Sequence, residues 1–308
     1  MVKSRSLNWR LGMSTLAVVL PLAAFALIMV GWIAHSQREA EQRLLIGDAY
    51  SLADAVGRQI NASFLLSAAL SHSTFLQRGD LTGFAEQARD VLAEAPGGAP
   101  TLIVSTSDGV PVLSVPPLPS DSPLLRNRAG MVSRAIGSGS AFLSDVRSDP
   151  ALPEPHASIE TPVFLDGKAA YEIAMLLPLE QFRDLLQRQN FPSNWLSGIV
   201  DRNGDFVARL PTESVRPGTP ASQAFRDATR RAPESTVTHA SIGGQKIVSA
   251  YAPVDGGWTV GVAADRSRLG VGPSAFLLTS LLGARGMAQS PILPGEWDVP
   301  YLGSWLRS

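Results

Sequence analysis

Cysteine is absent from the 308 residues, which excludes disulfides, thiolate nucleophiles, zinc-thiolate sites and a lipid anchor through cysteine. Histidine is scarce: His35, His72, His156 and His239 are scattered, without the i, i+4 pair of a zinc-protease helix. Charge of either sign is thin, 17% of residues with a net charge of −1, so there is no basic stripe to displace counterions from phosphates and nucleic acid is set aside as a partner. No nucleophile elbow, Walker loop or dinucleotide fingerprint is present. Gly137, Ser138, Gly139 and Ser140 are glycine-rich, but they follow a predicted helix instead of joining a strand to one, and are read as a turn. The residues therefore offer no catalytic centre, no metal site and no cofactor site.

Apolar residues make up 45% of the chain, with 27 glycines and 23 prolines for turns, which is the composition of a folded module. Leu11 to Ala34 is uncharged throughout, and its length exceeds the roughly 20 residues that a helix needs to cross a bilayer. Lys3, Arg5 and Arg10 precede it without an acidic residue, which by the positive-inside rule keeps the N-terminus in the cytoplasm and exports the remainder of the chain. The run is too long for the apolar region of a cleaved signal peptide. The expected topology is thus a membrane anchor with the main domain exported.

Beyond the span, Leu45, Ala49, Leu52, Val56, Ile60 and Phe64 recur at helical spacing, predicting a long stalk helix over about His35 to Leu70. Its stripe would pack on the following domains or on the same helix of a second chain. Asp80 is placed as an N-cap for a second helix over Leu81, Phe84, Ala88 and Val91.

Two later stretches carry the same pattern. Leu102, Ile103 and Val104 run into Asp108-Gly109 and resume at Val110, Val112 and Leu113; Ile199 and Val200 run into Asn203-Gly204 and resume at Phe206 and Val207. Asp-Gly and Asn-Gly are strong hairpin signals because both turn residues tolerate positive φ. Each hairpin is followed by a predicted helix (Leu124 to Ile136; near Ala221 to Arg231). Three strands come next, around Ala141 to Leu177 in the first copy, and at Ser235 to Ile242, Lys246 to Pro253 and Trp258 to Ala264 in the second. Tyr251 and Trp258 are read as packing aromatics.

The fold class is therefore α+β: an N-terminal transmembrane helix, a long stalk helix and two tandem PAS-like antiparallel-sheet modules. This arrangement resembles the double Cache sensor domains of bacterial receptors, most closely the exported input region of sensor histidine kinases. The local wording that carries the resemblance is Ala53-Asp54-Ala55-Val56-Gly57 on the stalk, Ile199 to Gly204 on the hairpin and Gly257-Trp258-Thr259-Val260 on the last strand, within a match over roughly Leu11 to Arg268. The domains are then a cytoplasmic tail and anchor (1–34), stalk helices (35–95), a membrane-distal module (96–190), a membrane-proximal module (191–268) and a weak second membrane segment with an irregular tail (269–308), and the resemblance implies that the anchor sits in the inner membrane of a bacterial cell with the two modules in the periplasm.

The resemblance implies a small-molecule ligand in the distal module, between its sheet and the helix-to-strand loop. The polar residues on or beside those strands are Asp145, Arg147, His156, Glu160, Tyr171 and Glu172. From these, Asp145, Arg147, His156, Tyr171 and Glu172 are the candidate ligand-binding residues, with the planar fork of Arg147 suited to a carboxylate and Tyr171 closing over the ligand. Alternation of polar and apolar residues on a solvated strand is the competing account.

Receptors of this type return through the membrane and carry a transmitter. Here Leu269 to Ala284 is uncharged but short and interrupted by Gly270, Gly272, Pro273 and Gly283, and a tail rich in proline and glycine follows it. No kinase or cyclase signature is present, so the expectation is no enzyme. The chain reads as the severed N-terminal input half of a sensor histidine kinase, or as an input served by a separate cytoplasmic or membrane transmitter. The alternative is a membrane-anchored structural or interaction protein that acts through a stalk homodimer.

Overall fold

A computed structural model describes residues 5–95, 98–126, 128–148, 154–211, 215–232 and 234–265, with side chains in the first helix described mainly from 42 onward. The weak apolar segment Leu269–Ala284 and the tail after it lie outside the described residues. Helix α1 covers Arg5–Ser71, and α2 (Thr74–Gln77) and α3 (Leu81–Ala93) follow. Among the described residues no helix is long and apolar enough to cross a membrane. Asp80 caps α3 as expected, its Oδ1 accepting from the Gly83 N–H at 2.9 Å.

His35–Gly270 forms one compact unit. Its first sheet contains β1 (Thr101–Thr106), β2 (Pro111–Val115), β3 (Phe142–Leu143), β4 (Ala157–Leu165) and β5 (Lys168–Leu177), with α4 (Ala129–Ser138) inserted before β3 and α5 (Glu180–Arg188) after β5. The second contains β6 (Leu196–Val200), β7 (Phe206–Leu210), β8 (Ser235–Ala240), β9 (Lys246–Pro253) and β10 (Thr259–Asp265), with α6 (Gln223–Arg231) inserted before β8. The strand orders are β2-β1-β5-β4-β3 and β7-β6-β10-β9-β8, all antiparallel. The same order twice is the repeat that the two hairpin signals predicted, and Gly109 (φ 82°) and Gly204 (φ 83°) supply the left-handed turn positions.

One difference concerns the helix expected over Leu124 to Ile136. Pro123–Leu125 forms a separate 3-10 turn, and α4 begins only at Ala129. Leu124 and Leu125 leave the helical path because, with Leu118, they cover Ile103, Ala174 and Leu176 on the outer face of the distal sheet.

The stalk stripe packs within the chain. Leu45, Ala49, Leu52, Val56 and Ile60 are buried in one core with Leu102, Val104, Ile159, Ile173 and Met175 of the distal sheet and Ile199, Ala250, Val260 and Val262 of the proximal one. Burying such a stripe contributes about 1.5–3 kcal/mol for each large aliphatic side chain. Farther along the helix, Ser67 and Thr161 exchange a buried hydroxyl hydrogen bond of 2.7 Å, and the amide of Gln59 donates to Gln181 at 2.7 Å. Toward the start of the unit, the hydroxyl of Tyr50 donates to Glu234. Helix α1 is thus the common floor of both sheets.

Candidate functional site

Because strand side chains alternate, the distal sheet sorts its residues onto two faces. Leu102, Val104, Ile159, Ile173 and Met175 turn to α1. The opposite face follows from the register: Ser105 stands opposite Glu172, Ile103 opposite Ala174, Glu160 opposite Ala174, and Ser158 opposite Leu176. This outer face is closed by α4 and the segment leading into it, and Glu160 and Glu172 are both 0% exposed. Two carboxylates in so dry a place require a cation. Arg128, the residue before α4, supplies it: its Nη2 donates to Glu160 Oε2 at 2.6 Å and to both oxygens of Glu172 at 3.1 Å. The Ser158 hydroxyl donates to the other oxygen of Glu160. Two polar atoms facing this layer, Ser105 Oγ and Arg128 Nε, are buried and make no hydrogen bond.

One guanidinium cannot neutralise two carboxylates, so the trio settles its charge by keeping a proton. Burial, followed by the hydrogen bond and charge of Glu160, pushes Glu172 up to about 9. Burial works against the charge of Glu160 too, but its hydrogen bond with Glu172 and the Arg128 charge hold it below its ordinary value. At neutral pH the trio is one cation, one anion and one carboxylic acid that donates to the anion. Since the folded chain keeps on Glu172 a proton that the unfolded chain releases near 4.5, this contribution to stability is full below about pH 4.5 and is lost as the pH rises through about 9. Thermal unfolding should therefore show a melting temperature that falls between about pH 5 and pH 9, with the slope flattened in Glu172→Gln. An unchanged slope in that variant would place the proton elsewhere.

The five candidate residues do not converge. Glu172 is in the outer-face trio. Tyr171, its neighbour, points to the opposite face and packs half-buried against the core on α1. Arg147 and His156 pair through their backbones, N–H to carbonyl, at 2.8 and 3.0 Å. Asp145 lies at the seam with the proximal module, where Arg202 Nη1 donates to it at 2.7 Å. Around it Asp201 accepts from the Val146 N–H at 2.9 Å, Arg202 Nη2 donates to the Gly256 carbonyl at 2.7 Å, and Trp258 Nε1 donates to the Ser144 carbonyl at 3.3 Å. Arg128 and Ser105 escaped the sequence reading. A usable signal existed, since Glu160 and Glu172 each interrupt an otherwise buried apolar strand and so demand a buried cation.

No family model matches the sequence, and no curated protein does. Solved structures do match. The extracellular domain described as that of a histidine kinase, rpHK1S-Z16, superposes with a TM-score of 0.61 at 16% identity, over 78% of this chain and 99% of that one. What the two share is the fold, two antiparallel sheets carried on one long helix. The ligand-binding domain of the Pseudomonas aeruginosa amino acid chemoreceptor PctB, solved with L-Gln, matches with a TM-score of 0.55 at 18% identity, over 78% of this chain and 98% of that one. The domain of the Pseudomonas fluorescens chemoreceptor CtaA with L-serine matches at TM-score 0.57 and 16% identity, over 75% and 99% of the two chains. Within this shared fold the Arg128 trio lies on the first sheet, and the Asp145–Arg202 seam joins the first sheet's module to the second.

Proposed function

We propose that the chain is the extracytoplasmic input module of a membrane receptor and senses a small polar solute at the outer face of its distal module. The observation that carries this reading is the buried layer between the distal sheet and α4: Arg128, Glu160 and Glu172 set its charge, and Ser105 Oγ and Arg128 Nε stand without partners. A solute with a donor and an acceptor would satisfy both. The other face of the same sheet rests on α1, so a change in strand spacing at Ser105 and Glu172 is passed to the helix through Val104, Ile173 and Thr161. The effect on the helix is limited to the ligand's difference in affinity between the two arrangements.

The anchor is the uncharged run from Leu11 to Ala34, which α1 includes. Phe25, Ile28, Met29 and Trp32 are exposed on it, which suits a surface that faces lipid. With the basic residues before it, this orients the two modules to the periplasm. Solved double Cache domains with bound amino acids support the solute class.

The test is calorimetric titration of the full-length protein in lipid nanodiscs with pools of amino acids, amines and sugars. At least one pool should release heat, and Ser105→Val should abolish it. Silence from every pool would remove direct sensing.

A further inference from the structure

Helix α5 ends against the start of the proximal sheet. Its last turn carries Gln187, and Asn190 closes it in a left-handed conformation (φ 51°), its N–H donating to the Gln187 carbonyl at 3.2 Å. The chain then turns at Pro192, whose carbonyl accepts from the Trp195 N–H at 2.8 Å, and enters β6. That turn stacks the rings of Phe191 and Trp195, with centroids 6.2 Å apart and 21° between their planes, and both residues are half-buried against the shared core. Strand alternation sends Ser197 to the same side as Ile199, the side of α1, and the register sets it opposite Leu210. Between α5, the linker and these two strands lies a cavity of about 280 Å³.

Apolar surface comes from Leu186, Leu210 and the two rings, and polar groups come from Gln187, Asn190 and Ser197. Among the described residues no charged side chain lines the cavity. Four polar groups on it make no hydrogen bond with the described residues: Ser197 Oγ, Trp195 Nε1 and the side-chain amides of Gln187 and Asn190. The two amides are exposed and find water. Ser197 is different, because it is only 4% exposed, and a hydroxyl at that depth ordinarily has a protein partner.

We propose that this cavity binds a neutral sugar ring, a hexose in its pyranose form, with its C–H face on the Phe191 and Trp195 rings and its hydroxyls on Ser197, Gln187 and Asn190. Size sets the ligand: a cavity of about 150 Å³ accepts benzene, with about six heavy atoms, so 280 Å³ takes about eleven, close to a hexose with its hydroxyls. Charge sets the class. An amino acid or organic acid would bring an ionised group to a wall without a counter-ion, and a hydrocarbon would leave Ser197 unsatisfied. A pyranose answers both conditions, because one face is apolar and its rim of hydroxyls both donates and accepts. Each amide offers a donor and an acceptor to such a rim, and the stacked rings offer flat apolar area with a polar N–H at one edge. The ring would bridge the last turn of α5 to β6 across the linker. It would act as a second input, independent of the one proposed at the outer face of the distal sheet.

The test is titration of the full-length protein in nanodiscs with glucose, galactose and mannose one at a time, and with glucuronate as the charged counterpart. At least one hexose should bind, and glucuronate should bind at least about tenfold more weakly. Gln187→Ala combined with Asn190→Gly removes both amides at exposed positions, and the glycine keeps the left-handed backbone. Binding in that double variant should fall at least about tenfold. Trp195→Ala should abolish it; should that variant misfold, the double variant alone decides. Absence of heat from all three hexoses, equal binding of glucuronate, or an unchanged affinity in the double variant overturns the assignment. Hexose binding that survives Trp195→Ala and is lost in Ser105→Val overturns it as well, while leaving direct sensing by the distal module in place.

Discussion

Replacing Arg128 by methionine is expected to lower the unfolding free energy by about 3–5 kcal/mol, the usual cost of removing one partner from a buried ion pair. The size reflects the groups left behind. Glu160 and Glu172 are both 0% exposed, and their serine and carboxyl partners do not supply a positive charge. With the guanidinium gone, Glu160 must take up a proton or let water in, and either choice costs free energy. Urea unfolding at pH 7 would measure the loss. Combining Arg128→Met with Glu160→Gln should recover most of it, because no buried anion then remains. A loss below about 1 kcal/mol in the single variant would mean that the trio is solvated and not a sealed layer.

Trp258→Ala should cost a similar amount, about 3–5 kcal/mol, and lower the melting temperature by roughly 10 °C for a unit of this size. Trp258 is fully buried, packs edge-on against Phe182 of α5 with ring centroids 5.3 Å apart, and donates to the Ser144 carbonyl. Phe182 and Ser144 belong to the distal module and Trp258 to the proximal one, so the deletion opens a cavity between the two and leaves a carbonyl without its donor. Calorimetry should still show one transition, since the apolar core runs without a break from Leu102 to Val262. Two separated transitions would mean that the ring, more than the shared stalk, couples the modules.

How much of this was legible in the sequence depends on distance along the chain. The stalk stripe, the Asp80 cap, the Asp108-Gly109 and Asn203-Gly204 turns and strand β9 are readable from residues within a few positions of one another, where backbone geometry and side-chain period act locally. The break between Pro123–Leu125 and α4 is not, because Leu124 and Leu125 are diverted by Ile103 and Leu176 on strands far away in sequence. The site is harder still. Arg128 meets its carboxylates across 32 and 44 positions, and Asp145 meets Arg202 across 57. Tyr171 and Glu172 are adjacent in sequence, yet the pleat sends them to opposite faces. Asp145, polar and next to a strand, looks available for a ligand, and the proximal hairpin engages it.

That engagement bears on how the protein can be taken apart. The linker Phe191 to Asn194 is the natural place to cut when exchanging one module for a relative's, yet the seam is held elsewhere, by Asp201 on Val146 and by Arg202 on Asp145 and the Leu143 carbonyl. A chimera joined at the linker would set a foreign loop against Arg202 and take from Oδ2 of Asp201, 2% exposed, the Val146 amide it accepts from. The exchangeable piece is therefore discontinuous: a transplanted distal module keeps the contacts of its 143–146 strap only if its own 201–204 turn travels with it.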